Sequence, residues 1–161
     1  MKHLVACALA GALIGAGSTL HAQQNYAGHV YGIFGLASDG GQVGDFLTAG
    51  GGAEAFAWKG LAGGGDLVYF WPRASSSDGI GLLSIGPAWH FVNRENPGRV
   101  VPFINGGYTL AFRGGAVNLW YAGGGATVWF ASRVGARLEY RHTGQRGYAF
   151  DNSIRFGGAF R

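Results

Sequence analysis

The chain has 161 residues, with 32 glycines, 12% charged residues, 14% aromatic residues and a formal net charge of +4. That length holds one domain, and the charged fraction is about half the ~25% usual in soluble domains. The positive charge comes from scattered arginines, and lysine occurs only as Lys2 and Lys59, so no polybasic face for nucleic acid is expected.

The first residues read as a targeting segment. Met1-Lys2-His3 is a short positive start, Leu4 to Gly17 is apolar and small, and Leu20-His21-Ala22 is a small-residue cleavage signal. The apolar run is shorter than the ~20 residues that a membrane helix needs. Residues 1–22 are therefore expected to be a signal peptide and residues 23–161 one domain. Cys7 is the one cysteine. Only three apolar residues precede it, which argues against a lipoprotein acceptor, and a mature chain from Gln23 has no thiol chemistry. Glycine interrupts every later apolar run, so no segment reads as a membrane helix.

The rest reads as strands. The first is expected over about Gly28 to Ala37, with Val30, Phe34 and Leu36 on one face. Ser38-Asp39-Gly40-Gly41 is a loop signal. The second strand, Phe46 to Trp58, is the least regular: its centre is Gly50-Gly51-Gly52-Ala53, and Glu54 shares a face with Phe56 and Trp58. Lys59-Gly60 is a tight turn. The third strand, Leu61 to Trp71, sets Leu67, Tyr69 and Trp71 opposite Asp66, and Pro72 to Asp78 is a polar loop.

The fourth strand, Ile80 to Val92, sets Leu83, Ile85, Trp89 and Phe91 opposite Ser84 and His90. Pro87 on its apolar face predicts a bulge. Asn93 to Arg99 is a turn. The fifth strand, Val100 to Phe112, sets Ile104, Tyr108, Leu110 and Phe112 opposite Asn105 and Thr109, and Arg113-Gly114-Gly115 turns the chain. The clearest pattern follows, from Leu119 to Phe130 and from Val134 to His142. In its second half Val134, Ala136, Leu138 and Tyr140 share one face, and Gly135, Arg137, Glu139 and Arg141 share the other. Thr143 to Phe150 is read as a loop. The last strand, Asn152 to Arg161, sets Ile154, Phe156 and Phe160 opposite Arg155.

These are eight strands of about ten residues, the length that crosses a bilayer at a ~45° tilt. The expected fold is all-β: an eight-stranded antiparallel up-and-down transmembrane β-barrel. Alternation alone does not say which face is outside, and a soluble periplasmic ligand-binding barrel has the same period with its faces exchanged. Two features favour the membrane. One is the low charge. The other is two aromatic levels on one face: Trp89, Phe91, Phe130 and Phe160 at one end, and Tyr69, Trp71, Phe112, Trp120 and Tyr140 at the other. Girdles of this kind sit at the two bilayer interfaces.

Three segments carry a family resemblance: Pro102-Phe103, Val134 to Arg141, and the ending Asn152 to Arg161. With them the chain resembles the small bacterial outer-membrane β-barrels of the OmpA/OmpX-like eight-stranded type. The resemblance implies a Gram-negative outer-membrane location, contact with outer-membrane lipid, and an aromatic-bearing last strand read by the barrel assembly machinery. Gly157 and Phe160 match that signal, with Arg161 following as a departure. A monomer is expected, and no cofactor.

Six charged residues are expected inside: Glu54, Asp66, Arg137, Glu139, Arg141 and Arg155. Eight strands leave an interior just wide enough to be filled by side chains, and charges buried there must pair. They are read as an ion-pair plug rather than a porin-like channel; a plug that rearranges would give a narrow transient conductance. The triple glycines lack the Lys-Ser/Thr and the helix of a phosphate loop and are read as room for bending and close approach. His29, His90 and His142 share no ligand spacing, so no metal site is expected. Outer-membrane lipid A deacylases are also eight-stranded barrels, and Glu139-Tyr140-Arg141-His142 resembles the start of their Tyr-Arg-x-His-x-Ser-Asn pattern. The serine position holds Gly144, so no catalytic residue is assigned. The role expected is structural, or an interaction through the loops.

Overall fold

The computed structural model describes residues 28–38, 44–92, 99–145 and 148–161. The expected signal peptide and its cleavage point lie outside the described residues. Eight strands follow in chain order: β1 Gly28–Ser38, β2 Phe46–Trp58, β3 Leu61–Pro72, β4 Ile80–His90, β5 Val100–Phe112, β6 Ala116–Trp129, β7 Val134–Gln145 and β8 Tyr148–Phe160. Each pairs antiparallel with the next, and β8 pairs with β1, so the sheet closes into a barrel. Closure leaves no edge strand.

The two faces of the sheet are opposite in character. Val30, Leu67, Ile104 and Leu138 point outward and are 54–57% exposed. The residues between them turn into the lumen, where Glu54, Asp66, Arg137, Glu139, Arg141 and Arg155 are 1–6% exposed. A soluble barrel carries the reverse arrangement. A continuous apolar outer belt over a polar interior is the arrangement that a hydrocarbon solvent selects.

The aromatic residues occupy both ends of this belt. Trp89, Phe91, Phe130 and Phe160 are exposed at the end that holds the chain terminus, and Trp58 joins them, with the Lys59 ammonium 4.5 Å from its ring centre. Tyr69, Phe112, Trp120 and Tyr140 are exposed at the loop end. Trp71 is half-buried, stacked on Tyr69 at 5.5 Å between ring centres.

Apart from strand ends that move by one or two residues, the structure differs from the sequence reading at four main places. Glu54 and Phe56 face the lumen, but Trp58 faces out, because a register shift between Phe56 and Trp58 flips the strand just before the turn. Pro87 makes no bulge. Pairing between β4 and β5 omits Gly86 and Pro87 and resumes in the same register, Ile85 with Tyr108 and Ala88 with Asn105. The missing proline N–H is thus absorbed by skipped hydrogen bonds rather than by an extra residue. Thr143 to Gln145 and Tyr148 to Phe150 are strand, not loop, because β7 and β8 stay paired past His142 through a register shift at Thr143–Gly144. Residues 116–118 likewise extend β6, so the chain turns through Arg113–Gly115 alone.

Two local features fix the closure. Lys59 and Gly60 both have positive φ, 42° and 91°, the conformation of the tight hairpin turn that matches strand twist. At the β1–β8 seam a Cβ on Gly157 would run into the carbonyl oxygen of Gly32.

Candidate functional site

The lumen holds two distinct layers. Toward the loop end it is apolar over most of its circumference: Ala37, Val68, Phe70, Leu82, Ala111 and Leu119 belong to one buried cluster, with Phe46 and Ile80 packed against it, while Ser38, Thr143 and Asp151 are buried where β7, β8 and β1 meet. The middle of the lumen is charged.

The charged layer starts from β7. A strand period of two stacks Arg137, Glu139 and Arg141 in a column on the inner face. Register places Arg155 of β8 beside Glu139, and β2 and β3 bring Glu54 and Asp66 across the lumen. Arg137 Nη2 donates to Glu54 Oε1 at 2.9 Å and to Glu139 Oε2 at 3.4 Å. Arg141 Nε donates to Glu139 Oε1 at 2.7 Å, and its Nη2 lies 2.8 Å from Asp66 Oδ2. Arg155 Nη1 stands 3.6 Å from Asp66 Oδ1. All six charged residues expected inside therefore lie in one connected network.

Polar and aromatic neighbours complete it. Asn105 Nδ2 donates to Glu139 Oε1 at 3.1 Å, and Arg141 Nη1 to Ser84 Oγ at 3.3 Å. The Arg137 guanidinium sits 3.8 Å from the Phe103 ring centre and 4.4 Å from that of Tyr31; Arg141 sits 4.3 Å from that of Tyr121. Glycines in the strands give these long side chains room. A Cβ on Gly52 would meet the Tyr31 ring, one on Gly64 the Glu54 side chain, and one on Gly86 the Tyr121 hydroxyl. A void of ≈ 10 Å³ remains between Tyr31, Glu54, Asp66, Asn105, Tyr121 and Arg141. It has space for about one water molecule.

Sequence reasoning left three buried groups out of this layer: His29, His90 and Asp151. His90 shares its face with Ser84, so parity already pointed it inward. Sequence distance hid its neighbour. His29 on β1 and His90 on β4 converge on Glu54, with Nε2–Oε2 distances of 3.4 and 2.6 Å.

Of the deacylase-like segment, Tyr140 and His142 lie on the outer face at the loop end, while Glu139 and Arg141 point into the lumen. His142 Nδ1 is 2.8 Å from Asn152 Oδ1, which also accepts from the Tyr140 hydroxyl at 2.9 Å. The Trp120 ring lies 5.1 Å from that of His142. Among the described residues no nucleophile accompanies this histidine. Gly144 holds the serine position, and Thr143 and Ser153 are buried in the lumen on the other side of the sheet.

At the loop end the exposed Arg113 reaches Asp78 Oδ1 at 3.0 Å and the Asp78 carbonyl at 3.0 Å. Hydrogen bonding to Arg113 holds the Asp78 carboxyl below the usual range. Tyr69 donates to the Ser76 carbonyl at 2.8 Å, and the Tyr108 hydroxyl to Asn118 Oδ1.

No family model and no curated protein matches the sequence. Solved structures do match. The N-terminal β-barrel domain of Pseudomonas aeruginosa OprF superposes with a TM-score of 0.62 at 11% identity, over 83% of this chain and 95% of that one. Neisserial surface protein A gives 0.55 at 14% identity, over 83% and 93%. A de novo designed transmembrane β-barrel gives 0.62 at 18% identity, over 86% and 98%. At such identities the likeness is one of architecture: the chain has the fold of the small eight-stranded transmembrane β-barrels.

Proposed function

We propose that the protein is a bacterial outer-membrane β-barrel whose lumen is closed by ion pairs, with a structural role or an interaction role carried by its loops. The observation that carries this is the inverted polarity of the barrel: aliphatic side chains cover the outside, and three arginines with their carboxylate partners fill the middle of the inside. Lipid is the partner that the outer belt fits. Assembly as a monomer by the barrel assembly machinery, with Gly157 and Phe160 in the last strand as the recognised features, belongs to the same reading. The closed lumen makes it a scaffold and not a general diffusion pore.

The proposal assigns no enzymatic activity. Acyl transfer at His142 needs a nucleophile within hydrogen-bond reach, and Gly144 supplies none.

The test is heat-modifiability in the outer-membrane fraction. Closed membrane barrels stay folded in detergent until heated, so unboiled and boiled protein should migrate differently. Recovery in the soluble periplasm without such a shift would overturn the proposal. Loss of an acyl chain from lipid A on expression of the protein would overturn the non-enzymatic part alone.

A further inference from the structure

We propose that His29, Glu54 and His90 form a binding site for one divalent first-row transition-metal ion of the zinc and copper class, inside the barrel near the end that holds the chain terminus. The three potential ligand atoms lie within 4.8 Å of one another, and all three residues are buried. Two imidazoles and one carboxylate are a common donor set for such ions, with positions left open for water.

The His29 ring touches both Arg137 and Glu54. A guanidinium only donates. Arg137 Nη1 lies 3.3 Å from His29 Nε2, so this nitrogen is the acceptor and carries no proton. It is the form of histidine that binds metal. The same Nε2 stands 3.4 Å from Glu54 Oε2, which also carries only lone pairs. An ion bound at the centre would take this Nε2 lone pair over from Arg137 and share it with a lone pair of Glu54 Oε2. His90 Nε2, 2.6 Å from the same oxygen, releases its proton and becomes the third ligand.

The surroundings fit a bound cation. Arg137 Nη2 holds the other carboxylate oxygen, Oε1, at 2.9 Å. It thereby turns Oε2 toward the histidines, as outer-shell partners do at metal sites. Arg137 is itself tied to Glu139 and lies against the Phe103 and Tyr31 rings, so an ion on His29 Nε2 would replace its Nη1 contact there and leave these others in place.

The rival occupant is a proton, shared among the same three groups. The two are separated with untagged protein folded in detergent, its folding verified by heat-modifiability. The probes are Zn²⁺ and Cu²⁺ alone, with metal content measured after removal of free ion. The proposal expects one ion per chain. It expects roughly 10–100-fold weaker binding, or more, in His29→Gln and in His90→Gln. His142→Gln, which alters the outward histidine, should bind as the unaltered protein does. If the lumen variants fail to fold, electron paramagnetic resonance of Cu²⁺ on the unaltered protein decides instead. Hyperfine splitting from two imidazole nitrogens supports the site, and splitting from one or none overturns it. Folded protein that retains no metal, or binding that survives both lumen substitutions, also overturns it.

Discussion

The charged middle of the lumen and its apolar loop end close the same barrel by different physics. At the loop end Val68 pairs with Leu82 and Leu82 with Ala111, and Phe46 stacks on Phe70 at 4.8 Å between ring centres. Water is excluded there by filled volume. In the middle, Arg137 and Arg141 each bridge two carboxylates, and paired charges fill the lumen but for a void of about one water. The apolar layer tolerates change in proportion to the volume lost. The charged layer responds to the loss of one partner with the full penalty of the charge left behind. The two layers are stacked in series, so opening one should leave the other shut.

Substitutions can break or sharpen this contrast. The largest effect is expected in the charged layer. Arg141→Ala removes the cation that Asp66 and Glu139 share, and stability measured by denaturant titration in detergent should fall by about 4 kcal/mol, as for other broken buried pairs. A second change separates charge from packing: adding Asp66→Asn to Arg141→Met should recover part of the loss, although no contact is restored and Arg155 gives up its own contact with Asp66. Recovery of nothing would mean that Arg141 acts by packing alone, and the contrast would fail.

In the apolar layer, Leu82→Ala should lower stability by about 3 kcal/mol through the cavity it leaves. No neighbouring polar-to-neutral change should rescue it, and Leu82→Met should restore most of it, because volume is what counts there. The seam should be less sensitive. Gly157→Val drives a side chain against the Gly32 carbonyl, and the strain should lower stability by about 2 kcal/mol. It should also slow the appearance of the heat-modifiable band during refolding. The smallest effect belongs to the exposed Asp78–Arg113 pair. Asp78→Asn should leave the unfolding midpoint unmoved, since solvent screens such pairs.

Much of this architecture is legible in the amino-acid sequence, and β7 shows why. Strict alternation from Val134 to Arg141 assigns each side chain a face, and the low charge of the chain says which face meets lipid. The inner column of Arg137, Glu139 and Arg141 follows from parity alone. Strand edges are harder, because they depend on pairing. Thr143 to Gln145 look like a loop, yet register with β8 carries them on as strand. Trp58 breaks its own parity, and only the shift opposite Leu61 explains it. Pro87 suggests a bulge, but a strand that simply skips its hydrogen bonds needs none.

The His29–Glu54–His90 cluster is hidden for a different reason. Parity puts His29 and His90 inside and sets Glu54 on the face of Phe56 and Trp58, and the meeting of the three depends on register across β1, β2 and β4. His29 pairs directly with Glu54, and His90 arrives from a strand two places further round. No spacing in a single sequence encodes that. The same holds for Asp66 and Arg141, which touch across the lumen from β3 and β7.

The most direct test of a lumen closed twice over is conductance of the folded protein in a planar lipid bilayer. The unaltered protein should add no steady current, and neither Arg141→Ala nor Leu82→Ala alone should open it. The two together should conduct. A steady ohmic conductance from the unaltered barrel would contradict the account, because paired charges and packed side chains would then not be sealing the lumen.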